Sequence, residues 1–251
     1  MRWIIATILF ASPAAFAENE AQQIAFTEGR YVDAVSLSNG SSSPDDIAFS
    51  ARSLLAQAVS APDYEPPMHL LEAAEANARA ALDLDPTHVE GRLQLAIALS
   101  LKARPLSNRE AMRSGYGEEA KDLADAVLRD DPDNTYAHGF LAVWHLEVRR
   151  RGGAIGASIM GASVRKARLH YETATQTAPD DASIHWQYAR ALAALNAKRY
   201  RNEVDLILKT ALDCQTESTL EGVMKHRAET LQAAMLDEDW SAAKRMAAQM
   251  L

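Results

Sequence analysis

The chain contains a single cysteine, Cys214, in 251 residues. An intramolecular disulfide is therefore excluded, and packing has to hold the fold. Beyond the first 17 residues there is no uncharged apolar stretch approaching the roughly 20 residues that a bilayer-spanning helix needs. Sustained alternation of apolar and polar residues is missing too, so no sheet is expected. Basic residues are outnumbered, 26 Lys and Arg against 34 Asp and Glu, for a net charge of −8. Nucleic acid and anionic lipid both call for a basic face, so neither is expected as the principal partner. Familiar catalytic signatures are lacking as well: there is no G-x-S-x-G turn and no H-E-x-x-H pair. No enzyme activity, metal or cofactor is expected.

What is present begins with a processing signal. Met1 and Arg2 precede the apolar run Trp3 to Phe10, Ser12 and Pro13 break it, and Ala15-Phe16-Ala17 supplies small residues at a cleavage position. This order reads as a secretory signal peptide, residues 1–17, cut before Glu18. Loss of Arg2 leaves 25 basic residues against 34 acidic ones, a net of −9. The many arginines and alanines suggest a bacterial source, so the expected location is the periplasm, without stable membrane insertion.

The strongest internal signal is a phrase that recurs three times at identical offsets: Ala74-x3-Ala78-x2-Ala81-x4-Pro86, Ala120-x3-Ala124-x2-Val127-x4-Pro132 and Ala167-x3-Tyr171-x2-Ala174-x4-Pro179. Small residues three and four apart share one helix face and let a second helix approach closely. Each proline then stops its helix, and Asp or Asn beside it (Asp85, Asp131, Asn134, Asp181) can cap the next. Helices pair into hairpins on this reading, over about 20–38, 45–84, 89–130, 134–177, 182–213 and 218–250. Loops are expected at Asn39 to Pro44 and at Pro62 to Pro67.

These residues resemble the tetratricopeptide repeat. Leu95-Ala96-x2-Leu99 and Tyr188-Ala189-x2-Leu192 match the large-small-large pattern of its helix A, and the alanine phrase with its proline matches helix B. Gly29-Arg30-Tyr31-x2-Ala34 and Asp239-Trp240-x2-Ala243 look like its intra-repeat turn. Trp144-His145-Leu146-Glu147 running into Arg149-Arg150-Arg151 looks like a group of exported proteobacterial repeat proteins. The resemblance implies an all-α fold, a right-handed superhelix of five to six hairpins over residues 18–251. The spacing departs from it: successive prolines stand 46 and 47 residues apart, against about 34 in a standard repeat and nearer to HEAT or armadillo periods. The excess falls at 101–117 and 149–161, as loops or as added helical turns.

Several groups invite sharper readings. Gly152 to Gly161 is glycine-rich, but Gly161 is followed by Ala162-Ser163 rather than by the Lys and Ser or Thr of a P-loop, so a close-packed connection is expected. Arg149-Arg150-Arg151 reads as a helix C-terminus, with an anion or acidic-partner site as the alternative. His138 and His145 lie two turns apart on one helix, too far for one metal. His185 reads as a packed histidine, and Cys214 as a small buried hydrophobe.

By the resemblance, the concave surface that accepts a peptide or partner protein draws on helix A residues Glu90, Leu93 and Ile97, then Tyr136, Gly139 and Val143, then Ser183, Trp186 and Arg190. Tyr136 and Trp186 would give apolar contact, and Glu90 and Arg190 would fix orientation by charge. For Trp186 a core position is the competing reading. The expected function is a periplasmic interaction scaffold. The alternative is a ligand- or metal-binding accessory protein of an envelope transport or assembly system.

Overall fold

The computed structural model describes residues 20–250, so the segment read as a signal peptide lies outside the described residues. The fold is all-α, with thirteen helices and no strand among the described residues. In chain order they are α1 (Glu20–Thr27), α2 (Tyr31–Leu37), α3 (Pro44–Val59), α4 (Met68–Leu84), α5 (Val89–Ala103), α6 (Asn108–Ser114) and α7 (Tyr116–Asp130). Then follow α8 (Thr135–Ile159), α9 (Val164–Thr177), α10 (Ala182–Asn196), α11 (Arg201–Asp213), α12 (Thr219–Leu236) and α13 (Trp240–Gln249). The helix ends fall within about two residues of the limits expected for the six spans, and α6 is an additional helix within 89–130.

The prolines act as the spacing predicts. Pro86, Pro132 and Pro179 each stand two residues past the ends of α4, α7 and α9. Capping groups beside them satisfy the N–H groups that open the next helix. Asp181 accepts from the Ser183 and Ile184 amides at 2.9 and 3.2 Å, and Asn134 accepts from Ala137 at 3.0 Å. In the first copy the cap of α5 is His88, whose Nδ1 accepts from the Gly91 amide at 3.0 Å while its Nε2 meets Asp45 at 2.8 Å. Asp85 instead holds the turn, accepting from the Thr87 amide and hydroxyl.

The two long insertions resolve differently. In 101–117, α5 runs to Ala103 and α6 follows, opened by a capping box between Ser107 and Glu110 and closed by Gly115 at φ 71°. In 149–161, the arginine run ends the first part of α8, which breaks at Gly153 (φ 62°) and resumes to Ile159. Gly161, at φ 66°, closes the second part: its N–H bonds to Ser158 and the Ala162 N–H bonds back to Ala157, the pairing of a left-handed helix cap. This segment is less enclosed than expected, with Ile155 78% and Ile159 71% exposed.

Contacts divide the described chain into two compact units, one reaching Ala137 and including 217–220, the other spanning 138–216 and 221–250. In the first, α3 packs on α2, α4 and α5, while α5 packs on α4 and α7. Gly29, in the α1–α2 turn at φ 77°, fits closely there: a Cβ would lie 2.8 Å from the Thr219 methyl. In the second, α10 is central and touches α9, α11 and α13.

Burial separates two kinds of helix. Twelve of the fifteen residues of α10 are buried, against two of the fourteen in α9. α3 and α5 resemble α10, whereas α4 and α7 bury only a narrow stripe. That stripe is the repeated phrase itself: Ala74, Ala78, Ala81, Ala120, Ala124, Val127, Ala167 and Ala174 are all fully buried. Ala124→Phe and Ala174→Phe are each expected to lose about 1–3 kcal/mol, because a phenyl ring forces the paired helices apart. Urea melts followed by circular dichroism measure it, and Leu169→Ala, on the exposed side of α9, should stay within about 0.5 kcal/mol of the parent.

Candidate partner-binding site

The helix A residues assigned to a concave surface are, with one exception, enclosed. Glu90, Leu93 and Ile97 on α5, Tyr136 and Gly139 on α8, and Ser183, Trp186 and Arg190 on α10 are all buried, and Val143 is partly exposed. As folded, this set offers no open aromatic and charged face to a partner. The enclosure has a definite cause on α5 and on α10.

On α5, Glu90 faces Arg52 of α3 across 3.2 Å and accepts from Gln94 at 3.4 Å. Arg52 is itself enclosed, with its guanidinium 4.5 Å from the Phe49 ring centre and 5.2 Å from that of Phe26. Burial pushes the Glu90 carboxyl upward, and the Arg52 charge opposes that shift. Glu90 is thus an internal counter-ion.

On α10, positions 183, 186 and 190 share a face, and α13 packs on this helix. Arg190 Nη1 donates to Glu147 Oε1 at 3.1 Å and to the Ala247 carbonyl at 3.3 Å, and Nε donates to Gln187 at 3.1 Å. Burial works against the Arg190 charge and Glu147 supports it. Glu147 also accepts from Arg150 at 2.7 Å. Arg190, expected to steer an acidic partner, is therefore committed to α8 and to the last turn of α13. Trp186, 1% exposed, occupies the core.

Next to this face lies an aromatic stack. Tyr171 and Tyr188 are parallel at 4.1 Å. The Tyr171 hydroxyl donates to His185 Nδ1 at 2.7 Å, because His185 Nε2 is used as donor to the Pro179 carbonyl at 2.8 Å. His185 is a packed histidine, as read from the sequence. Cys214 is buried, and burial pushes its thiol up to about 11, away from the thiolate that reactivity needs.

The histidines of α8 are joined by one that sequence spacing did not bring in. His170 on α9 meets His138 Nδ1 to Nδ1 at 2.8 Å and stacks on His145 at 5.5 Å between ring centres. One nitrogen of the close pair must carry the proton. Among the described residues no three His, Cys, Asp or Glu side chains are grouped as metal ligands, and no helix is long and apolar enough to cross a membrane.

A second group also escaped the sequence reading. Arg149 on α8, Arg168 on α9, Arg199 in the α10–α11 turn and Arg201 at the start of α11 line one cavity of about 550 Å³ with Tyr200, Asn202 and Glu203. Only the Arg149 run carried a signal; Arg168 stands on α9, Arg199 and Arg201 flank Tyr200 where α11 begins, and nothing in the local spacing announces that the three places converge. No protein-family model matches the chain, and no curated protein matches it.

Because Trp186 is core, Trp186→Ala is expected to lose about 3–5 kcal/mol. Arg190→Glu, which sets a second carboxylate against Glu147, should lose a similar amount, about 3–5 kcal/mol. Denaturant unfolding of both variants checks this, and melting unchanged from the parent would remove these residues from the core.

Proposed function

We propose that the chain is an exported interaction scaffold of the tetratricopeptide type, a superhelix of paired helices that accepts a helix of a partner protein on its A-helix face. The observation that carries this reading is the seat of α13. Ala243 and Ala247 are fully buried, α13 packs on α10, and Arg190 bonds to the Ala247 carbonyl. The α10 face therefore suits a helix with small residues four apart and a free carbonyl near its C-terminal end. Helix-in-groove recognition uses the same elements: close approach along one stripe, with a polar contact that sets direction. In this chain the occupant is its own last helix, and a partner reaches the face by taking that place. The location proposed is the periplasm, on the strength of the Arg2, apolar-run and Ala15-Phe16-Ala17 order.

The test is capture of the natural partner from periplasmic extract by the full chain and by a chain ending at Leu236, with a synthetic peptide of residues 239–251 as competitor. The shorter chain is expected to capture the partner at several-fold higher yield, and excess peptide should release it. Capture indifferent to both the truncation and the peptide would remove the α10 face from partner binding.

A further inference from the structure

The arginine cavity is used neither by the helix seat nor by the packing. Its four arginines come from three places in the chain: the end of the first part of α8, the middle of α9, and the α10–α11 turn with the first turn of α11. One of the four is already neutralised. Arg168 makes a two-point contact with Glu203, Nε to Oε1 at 3.0 Å and Nη2 to Oε2 at 2.7 Å. Arg149, Arg199 and Arg201 have no carboxylate within ion-pair distance among the described residues. With Glu203 the only acid in the lining, the cavity holds a net charge of about +3, in a chain whose net charge is −8.

Clustering like charges is unfavourable, and a net-acidic protein has carboxylates in excess with which to relieve it. Here they do not. Arg199 is instead ordered by the ring of Tyr200, 5.6 Å from its guanidinium carbon, with Arg168 5.8 Å from the same ring. Arg201 is tied by a 3.4 Å bond to the Lys198 carbonyl. These contacts restrain Arg199 and Arg201 without cancelling their charge, which lowers the cost of ordering them on an oxyanion. The first turn of α11, which gives Arg201, Asn202 and Glu203 to the lining, has no side-chain cap, and an uncapped helix N-terminus favours negative charge. The volume, about 550 Å³, is that of a small-molecule site.

We infer that this cavity is a binding site for a phosphate-bearing small molecule, with Arg149, Arg199 and Arg201 on the phosphoryl oxygens and the Arg168–Glu203 pair as its fixed floor. A phosphomonoester carries about −1.5 to −2 charge and three acceptor oxygens, which suits three guanidinium forks better than a single carboxylate does. The inference is independent of the partner-helix reading, since no residue of the cavity lies on α13.

The experiment is calorimetric titration of the full chain at pH 7.5 with inorganic phosphate, glycerol 3-phosphate and citrate. Saturable binding of glycerol 3-phosphate is expected at one site, tighter than inorganic phosphate and weakened by added sodium chloride. Arg149→Gln and Arg201→Gln should each lower the affinity at least tenfold. Arg165→Gln, an exposed arginine of α9 outside the cavity, should leave it unchanged. The two cavity variants remove exposed or half-exposed side chains, and their melting curves, matching the parent, show that the fold is intact. Citrate binding with both phosphate compounds excluded would overturn the assignment to phosphate. So would absence of saturable binding below about 10 mM, or equal loss of affinity in the Arg165 variant.

Discussion

The distance at which two helices can lie is what the structure rests on, and alanine sets it. Where the buried Ala120 and Ala124 of α7 meet α5 there is little side-chain bulk to hold the backbones apart, so the axes close up and the larger side chains of α5 interdigitate around them. The outer helices then need only a narrow apolar stripe and can spend their other faces on solvent. The inner helices have the opposite problem. Buried on almost every side, α3, α5 and α10 cannot carry a charge without an internal partner, and Arg52 with Glu90, and Arg190 with Glu147, provide one. Buried ion pairs of this kind add little net stability, but removing one member leaves the other charge stranded.

Hairpin boundaries were legible because their signals are local. A proline five residues past a small residue and an acid or amide beside it act within a few residues of chain. Pro86, Pro132 and Pro179 accordingly mark the ends of three helices at one common offset. The short helix α6 had a local signal that went unread: Ser107 followed by Glu110 is a capping box, and Gly115 is a left-handed stop. Gly153 was readable as a breaker, but the return to helix after it depends on the cap at Gly161.

The site was less legible, for a physical reason. Whether Trp186 and Arg190 line a groove or a core is decided by α13, and Arg190 and Ala247 lie 57 residues apart. No local pattern on α10 distinguishes an open apolar face from a covered one, since both require the same residues. Helical spacing puts Ser183, Trp186 and Arg190 on one face of α10. It carried no information about what lies over that face. Long-range convergence also explains the arginine cavity, where each residue alone reads as an ordinary surface arginine, and the meeting of His138 with His170.

Covering α10 with the chain's own last helix is the central claim, and amide hydrogen exchange of the intact protein at neutral pH tests it most directly. If α13 is seated on α10 through Ala243, Ala247 and the Arg190 bond, its amides should exchange far more slowly than those of α6, which buries no residue, with the protection of α10 and α13 failing together as denaturant is added. Exchange of α13 as fast as that of α6, while α10 stays protected, would contradict the account.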